Sequence, residues 1–382
     1  MGVRRKTSFC FTSLQSKLAP PGFSGLRYSL HSYATLRNGY AAPTIPNALA
    51  LGRARKRTRQ IPEFCVSKIS QQTAGLQIPN AKHTMEVLSK NVYSNFIMKP
   101  LIKYRGGKSK EIPNIQKHIP QFSGKYIEPF FGGGALYFYL EPKNAIINDI
   151  NEKLISFYKG VQSDYSNLRI ELNNVEKIYE ENRAAFEALK AKTPDERVDD
   201  KNEDFYYSIR DMFNGLSEKK YSDALLYYFI NKTAYSGMIR YNSKGEFNVP
   251  YGRYKHLNTS LVTKEHSELL KNAEIFNSDY KNIFDMAKSD DFIFLDPPYD
   301  CVFSDYGNEE YKDGFNDDAH RKLAQDFKNL PCKALLVIGR TPLTEELYGN
   351  LIIDEYEKSY AVNIRNRFKA AATHILVANY KE

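Results

Sequence analysis

The 382-residue chain contains no tryptophan, only four cysteines and no long apolar run. The cysteines (Cys10, Cys65, Cys301 and Cys332) are scattered and form no CxxC pair, so the sequence indicates neither a disulfide framework nor a zinc site. We therefore expect free thiols and no bound metal. No stretch of about 18 consecutive apolar residues is present, which argues against a membrane span. These absences argue against a disulfide-rich or membrane-spanning protein and indicate a globular one. The 42% share of hydrophobic residues supports that interpretation.

Acidic residues are nearly missing from residues 1–97, which hold 14 Lys and Arg against two acidic residues. This segment shows no apolar periodicity, so it cannot bury enough surface to offset its ordering entropy, and we predict that it is disordered. Its basic run, Arg53–Arg59, allows an organelle transit peptide, a nuclear signal or a DNA tether. We favour a fourth interpretation, in which translation begins at Met98 and the segment has no role.

Residues 98–382 hold 40 basic and 43 acidic residues, so their net charge does not indicate nucleic-acid binding. Their first strong pattern is a predicted strand, Lys125–Pro129, followed by glycines 132–134 and a predicted helix, Ala135–Leu140. A glycine turn at a helix N-terminus lets a ligand approach the backbone closely. Taken alone, the glycines are explained equally well by a turn without a ligand.

A second predicted strand, Ala145–Asn148, ends at Asp149, which follows the first glycine by 17 residues. That spacing suits a carboxylate that binds ribose hydroxyls. The third glycine of a dinucleotide fingerprint is missing, which argues against a pyrophosphate and leaves room for another adenosyl cofactor.

The catalytic signature follows Phe292–Leu295, an apolar run typical of a buried parallel strand. The run ends in Asp296-Pro297-Pro298-Tyr299, at the strand end where open α/β sheets bind ligands. An adenine amine is a poor nucleophile because its lone pair is conjugated into the ring. Asp296 and the Pro297 carbonyl could each accept one N–H and so direct the lone pair at a methyl donor. Tyr299 could stack on a base that has been flipped out of a duplex.

Five blocks, in order, resemble the Dam-type family of DNA adenine-N6 methyltransferases, which includes bacterial restriction-modification enzymes. They are Pro100–Lys108, Ile127–Ala135, Asn148–Tyr158, Asn231–Lys255 and Leu295–Tyr299. The resemblance spans Lys99–Tyr380 and implies methyl transfer from S-adenosylmethionine to the N6 amine of adenine in double-stranded DNA. It also implies catalytic roles for Asp296, Pro297 and Tyr299.

The resemblance assigns further roles residue by residue. Cofactor contacts are implied for Tyr104, Lys108, Phe130, Gly132, Gly134, Asp149, Asp279 and Asp296. DNA contacts are implied for Tyr235, Ser236 and Arg240, although Ser236 stands where the best-known member has Asn. We add Lys244 and Arg253, because basic residues alternate with tyrosines across residues 232–255, a mixture that suits phosphate and base contacts.

We expect an α/β fold, a Rossmann-like methyltransferase sheet built from residues 98–160 and 263–382. Residues 161–262 are predicted to form a mainly helical target-recognition insertion that ends in a β-hairpin around Ser243–Gly245. Further strands are predicted at Phe292–Leu295, Ala334–Ile338 and His374–Asn379. We expect a monomer or weak dimer in a bacterial cytoplasm, and a separately encoded restriction endonuclease as a companion.

Three alternatives remain open at this point. Cytosine-N4 methylation is the nearest, although Ser is usual there at the position of Asp296. Methylation of RNA or of a protein glutamine is more distant, because Asn is typical at that position. The third alternative is a DNA-binding module with an inactive site, and the presence of Asp296, Tyr299, Gly132 and Asp149 weighs against it.

Overall fold

The computed structural model describes residues 98–299, 315–359 and 371–381. The predicted disorder of residues 1–97 lies outside this range. Of the four cysteines, Cys332 lies within it, and its thiol is buried and free.

A seven-stranded mixed sheet forms the centre of the molecule. Five strands run parallel in the order β3-β2-β1-β4-β5, and β7 then joins antiparallel between β5 and the edge strand β6. The strands are β1 Tyr126–Glu128, β2 Ala145–Asn148, β3 Ala273–Phe276, β4 Phe292–Leu295, β5 Lys333–Gly339, β6 Ile352–Ser359 and β7 Ala371–Ala378. The prediction of a Rossmann-like α/β sheet is confirmed.

The composition of each strand matches its place in the sheet. The central strand β4, Phe292–Leu295, is apolar and fully buried because helices cover both of its faces. The edge strand β6 has charged and polar residues along Asp354–Ser359, which discourage pairing with another sheet. Strands β2 and β4 have the predicted bounds, whereas β7 begins three residues before the predicted His374.

Ten α-helices lie within the described residues. They are α1 Ile112–Ile115, α2 Ala135–Leu140, α3 Glu152–Ser163, α4 Tyr165–Lys192, α5 Lys201–Phe213, α6 Asp223–Thr233, α7 Lys264–Leu270, α8 Tyr280–Phe284, α9 Asp317–Lys328 and α10 Pro342–Tyr348. Side-chain caps fix several of their first residues, as when Asn151 accepts a hydrogen bond from the backbone of Leu154 at the start of α3.

The sheet separates two apolar cores. Alternate residues of β4 face opposite sides, so Phe294 joins one core and Ile293 joins the other. The first core continues into helices α3 to α6, and the second holds α8, α9 and α10.

The region between α3 and α7, where the sequence predicts a target-recognition insertion, is mainly helical. Helix α6 is buried along nearly its whole length, and the ring of Tyr227 stacks on that of Phe157 in α3, 5.5 Å between centroids. The insertion thus shares the first core with the sheet.

The predicted β-hairpin is only partly formed. The chain reverses at Asn242–Glu246, where the backbone N–H of Asn242 donates to Glu246 at 2.8 Å. The two arms run antiparallel, but they are joined by isolated bridges, Ala234 to Tyr251 and Tyr241 to Phe247, instead of a regular ladder. The exposed Pro250 has no backbone N–H, so it contributes no donor to such a ladder.

Candidate active site

The carboxyl ends of β1 and β4 lie side by side in the middle of the sheet. The order of the strands reverses between them: β2 and β3 lie on one side of β1, whereas β4 and β5 lie on its other side. Ligands of open α/β sheets bind at this kind of switch point. The glycine turn follows β1, and Asp296 follows β4, so the two strongest sequence motifs meet at one edge of the sheet.

The glycine turn is closed on one side by an aromatic ring. Gly132 has a φ of +47°, and a Cβ atom there would lie 2.6 Å from the ring of Tyr104. Gly134 has a φ of +63°, and a Cβ atom there would lie 2.4 Å from the ring of Phe131. Both glycines are therefore required by a positive φ and by a neighbouring ring, Tyr104 at Gly132 and Phe131 at Gly134.

Asp149 connects the end of β2 to this turn. Its Oδ2 atom accepts the backbone N–H of Gly132 at 2.7 Å, and its Oδ1 atom accepts that of Asn151 at 3.0 Å. Burial raises the pKa of Asp149, and these backbone donors oppose the shift. Each carboxylate oxygen keeps a second lone pair, so Asp149 can also accept hydrogen bonds from hydroxyl groups.

Asn148, which the sequence analysis did not single out, joins three strand ends. Its Nδ2 atom donates to the carbonyls of Pro129 and Ser278, both at 2.9 Å, and its Oδ1 atom accepts the Ser278 N–H. Asp279 follows directly, is exposed, and accepts the N–H of Lys281 at the start of α8. An amide at the last position of an apolar strand is the signal that could have identified Asn148.

Phe130 lies at the other side of the turn. Its half-buried ring is 5.4 Å from that of Tyr280 and 6.2 Å from that of Phe315, between centroids. The predicted cofactor residues of β1, β2 and α8 are thus gathered around the ends of three adjacent strands.

A buried ion pair joins the first sequence block to the catalytic block. The Nζ atom of Lys108 lies 2.6 Å from Oδ1 and 2.7 Å from Oδ2 of Asp296, and it also donates to the Gly106 carbonyl at 2.8 Å. Lys108 is 3% exposed, whereas the Asp296 side chain keeps 21% exposure. Lys108 therefore fixes the rotation of the Asp296 carboxylate and leaves part of it open to a ligand.

The half-buried ring of Tyr299 stands next to this pair. The Lys108 Nζ atom lies 5.0 Å from the centroid of the Tyr299 ring, within the range of a cation–π contact. The His374 ring contacts Tyr299 nearly at right angles, with 5.1 Å between centroids. Pro297 is buried between Asp296 and the rest of the motif.

A second carboxyl group near the site was not foreseen. Glu128 ends β1, is 2% exposed, and its Oε2 atom accepts the hydroxyl of Tyr126 at 2.7 Å. Burial raises the pKa of Glu128 well above its usual range, the Tyr126 hydrogen bond opposes this, and the negative charges of Asp296 and Asp149 raise it further. An acidic residue inside an apolar strand was the available signal.

The predicted DNA-contacting residues lie on the segment after α6. Tyr235 is 50% exposed, and the exposed Ser236 has a φ of +57°, a conformation in which Asn is enriched. Arg240 is exposed and its Nε atom donates to Oδ1 of Asn248 at 2.8 Å. Lys244 is exposed at the chain reversal. These four residues are presented on one continuous segment.

Arg253 is placed differently from the other four. Its guanidinium group lies 2.6 Å from Glu203 of α5, and its φ is +54°. Its charge is thus already paired within the protein.

Within residues 98–299, 315–359 and 371–381, no group of three His, Cys, Asp or Glu side chains is arranged to hold a metal ion. No helix in the same part of the chain is long and apolar enough to cross a membrane.

Comparison with known proteins decides the family. The model of the D12 class N6 adenine-specific DNA methyltransferases matches residues 104–364, which include the glycine turn, Asp149 and the Asp296–Tyr299 motif. The chain belongs to this family. The methyltransferase acts on adenine in DNA, and the family's reaction uses S-adenosylmethionine.

Several curated proteins are similar to this methyltransferase. The type II methyltransferase M.CviBI of Paramecium bursaria Chlorella virus NC1A is 33% identical over 291 residues, 74% of this chain and 100% of the relative. M.MjaIII of Methanocaldococcus jannaschii is 35% identical over 270 residues, 66% of this chain and 88% of the relative. The DNA adenine methylase of Haemophilus influenzae is 30% identical over 219 residues, 56% of this chain and 70% of the relative.

The residues of the methyltransferase fit an adenosyl ligand. A turn that only glycine can form opens helix α2, and a buried carboxylate, Asp149, is held beside it by backbone donors. The missing third glycine of a dinucleotide fingerprint agrees with an adenosyl ligand that has no pyrophosphate.

Proposed function

We propose that this methyltransferase is site-specific and methylates the N6 amine of an adenine that has been flipped out of duplex DNA. The observation that carries the proposal is the Lys108–Asp296 pair, at 2.6 Å, held at the end of β4 next to the glycine turn. It presents an oriented, partly open carboxylate where the methyl donor and the target amine must meet.

The methyl donor is S-adenosylmethionine. When bound, S-adenosylmethionine supplies a methyl group attached to a positively charged sulfur. We assign its binding to Tyr104, Lys108, Phe130, Gly132, Gly134, Asp149, Asp279 and Asp296. Asp149 is suited to the ribose hydroxyls because it is an ionisable acceptor at the end of β2. We expect no metal in this reaction, since the donor already carries the electrophile.

The catalytic residues act on the target amine. The Asp296 carboxylate accepts one N–H of the amine, and the Pro297 carbonyl accepts the other. This pair favours a tetrahedral nitrogen whose lone pair points at the methyl group. Lys108 holds the carboxylate in one orientation, so the acceptor needs no rearrangement when the base arrives.

Tyr299 supports the base. Its half-buried ring borders the Lys108–Asp296 pair and can stack on the flipped adenine. Tyr235, Ser236, Arg240 and Lys244 then contact the duplex that the base has left. Arg253 belongs to the same proposal only if DNA displaces its partner Glu203.

The names of the relatives support a proposal about the cellular role. Two of the relatives described above are named type II methyltransferases. We propose that this chain likewise modifies a short DNA sequence, that a separately encoded restriction endonuclease acts on the unmodified sequence, and that the enzyme works in a bacterial cytoplasm as a monomer or weak dimer.

A methyl-transfer assay tests the proposal. Full-length protein is incubated with labelled S-adenosylmethionine and duplex DNA, and the nucleosides are separated after digestion. Wild type should yield N6-methyladenine, and Asp296→Ala should lose at least about 100-fold in rate, because the amine loses its acceptor.

The matched control is Asp290→Ala, an exposed aspartate at the opposite end of β4, which should retain full activity. N4-methylcytosine as the product would exclude the adenine assignment. Near-normal turnover by Asp296→Ala would remove Asp296 from the catalytic role.

A further inference from the structure

A buried carboxylate that the proposed mechanism does not use lies one turn beyond Lys108. Glu111 is 5% exposed and accepts hydrogen bonds from the side chains of Tyr356, at 2.6 Å, and Lys358. Its Oε2 atom also lies 2.9 Å from Nδ1 of His374. Glu111 thus joins the N-terminal block to strands β6 and β7, which are 245 or more residues away in sequence.

Glu111 is held in the ionised form. Burial raises its pKa, but the hydrogen bonds from His374, Lys358 and Tyr356 and the charge of Lys108 outweigh burial and lower the pKa to about 2. The backbone of Glu111 also donates to the Lys108 carbonyl at 2.8 Å. Glu111 is therefore a fixed, ionised hydrogen-bond acceptor, and its position is coupled to that of Lys108.

His374 connects Glu111 to Tyr299 of the Asp296–Tyr299 motif. It is fully buried in β7, and its ring contacts that of Tyr299 at 5.1 Å with an interplanar angle of 76°. Gly339, its cross-strand partner in β5, forms the neighbouring wall, since a Cβ atom there would lie 3.5 Å from the Tyr299 ring. One flank of Tyr299 is thus set by a histidine whose orientation Glu111 determines.

We propose that Glu111 and His374 are positioning residues for the target base: Glu111 fixes the His374 ring, and His374 fixes the Tyr299 ring on which the flipped adenine stacks. This inference rests on the proposed role of Tyr299. Neither residue contacts the substrate, so both act through Tyr299.

The physical reason is the sensitivity of stacking and methyl transfer to geometry. Stacking on an aromatic side chain contributes about 1–3 kcal/mol per base. A displacement of about 1 Å at the reacting atoms can cost about 100-fold in rate. A tyrosine ring that is fixed before the base arrives loses less conformational entropy on binding.

The chain offers a matched control for the structural part of these contacts. His118 and Asp354 form a second pair, 2.9 Å apart, between the turn Gln116–His118 and strand β6. This pair ties the same N-terminal region to the same strand, and it is separate from the hydrogen bond between Glu111 and His374. Breaking it should reproduce any general loosening of the C-terminal strands.

The experiment compares full-length wild type with Glu111→Gln, His374→Phe and Asp354→Asn. The DNA site is first mapped by methylation-aware sequencing. We measure kcat on a duplex with adenine at the target position. Base flipping is measured on a second duplex with 2-aminopurine there, because 2-aminopurine lacks the 6-amine and reports flipping without being methylated. For Glu111→Gln we expect a loss of about 10-fold or more in kcat and a weaker 2-aminopurine signal, with the KM for S-adenosylmethionine within about twofold. His374→Phe keeps a ring against Tyr299 but loses the link to Glu111, so it should be impaired in the same direction. Asp354→Asn should lose thermal stability alone.

A double-mutant cycle with Tyr299→Ala identifies the route of the effect. If Glu111 acts through Tyr299, Glu111→Gln should cause little further loss in the Tyr299→Ala background. Independent, multiplicative losses would overturn the inference, as would equal kinetic losses in Glu111→Gln and Asp354→Asn. If Glu111→Gln does not fold, His374→Phe carries the same cycle.

A failure of the stacking role and a failure of the positioning role give different results. If Tyr299→Ala alone flips and methylates normally, the stacking role of Tyr299 is wrong and the positioning role falls with it. If Tyr299→Ala is impaired while Glu111→Gln and His374→Phe are normal, only the positioning inference is overturned.

Discussion

At the scale of single residues, a substitution of Arg240 can distinguish a contact with a DNA base from a contact with a phosphate. Its Nε–H group is already bonded to Asn248, which orients the planar guanidinium. Two parallel donors can read a guanine edge, whereas a phosphate contact needs only the charge. Arg240→Lys should therefore lose about 1–3 kcal/mol of discrimination at one position of the site, with little change in the salt dependence of binding.

The measurement for Arg240 is the methylation rate on every single-base variant of the mapped site. Asn248→Ala is an informative companion, because it removes the group that orients the guanidinium and should relax the same position more weakly. An unchanged specificity profile in Arg240→Lys would leave Arg240 with a phosphate contact only.

The buried acid Glu128 should make the stability of the protein depend on pH. Its folded-state pKa is raised by burial and by the neighbouring Asp296 and Asp149, so the unfolded chain ionises first as pH rises. The contribution of Glu128 to stability is thus fully present below pH 4.5, near its usual pKa, and is lost as pH rises towards the folded-state pKa. Glu128→Gln cannot ionise, so its thermal midpoint relative to wild type should rise between pH 4 and pH 7.

Thermal unfolding of both proteins across that pH range provides the measurement. The exposed Glu218→Gln serves as a control for the removal of one carboxyl group. A midpoint difference for Glu128→Gln that stays constant with pH would contradict a raised pKa of Glu128 in the folded protein.

At the scale of elements, the end of helix α6 holds the first sequence block in place. Asn231 accepts the backbone N–H of Lys103 at 2.9 Å and donates to its carbonyl at 2.7 Å. Asn231→Ala leaves both backbone groups of Lys103 without these partners, which should cost about 1–3 kcal/mol of unfolding free energy. Because the same block carries Lys108, methylation should fall as well.

Denaturant unfolding and the methylation rate measure these two effects. The exposed Asn167 in α4, whose side chain donates to Asp164, provides the control, and Asn167→Ala should change neither quantity appreciably. A stable and fully active Asn231→Ala would show that the block is held by other contacts.

The elements that sequence predicted well are those whose signal is local. Strand β4 and helix α2 were placed correctly because a continuous apolar run and a glycine turn mark their ends. A β-hairpin was predicted around Ser243–Gly245. The chain reverses there, but its arms are joined by isolated bridges, since tertiary contacts such as those of Asn214 with Phe247 hold one arm.

Candidate site residues could be singled out from the sequence, but the contacts between them could not be predicted. Motif order identified Lys108 and Asp296 separately, yet 188 residues lie between them, and no local pattern predicts that they form a pair. Glu111 and His374 are 263 residues apart and belong to no motif at all. Side chains joined across such distances are fixed by the topology of the sheet, which brings the N-terminal block, β4 and β7 to one edge.

At the scale of the whole molecule, charge is divided unevenly along the chain. Residues 1–97 hold 14 basic and two acidic residues, whereas residues 98–382 are slightly acidic. The sheet, the Lys108–Asp296 pair and the exposed segment with Arg240 all lie in the second part. Charge thus distinguishes a basic segment, in which acidic residues are nearly missing, from the part of the chain that holds the candidate site.

We predict that a protein beginning at Met98 folds and methylates like the full chain. The thermal midpoint and kcat of residues 98–382 should match those of residues 1–382, and a large fall in either would show that the first segment is needed. A DNA tether makes a different prediction, because neutralised phosphates release counterions and the affinity then depends on salt. If truncation weakens DNA binding at low salt and the difference disappears at high salt, residues 1–97 act as an electrostatic tether; if affinity is unchanged at every salt concentration, they contribute nothing to DNA binding.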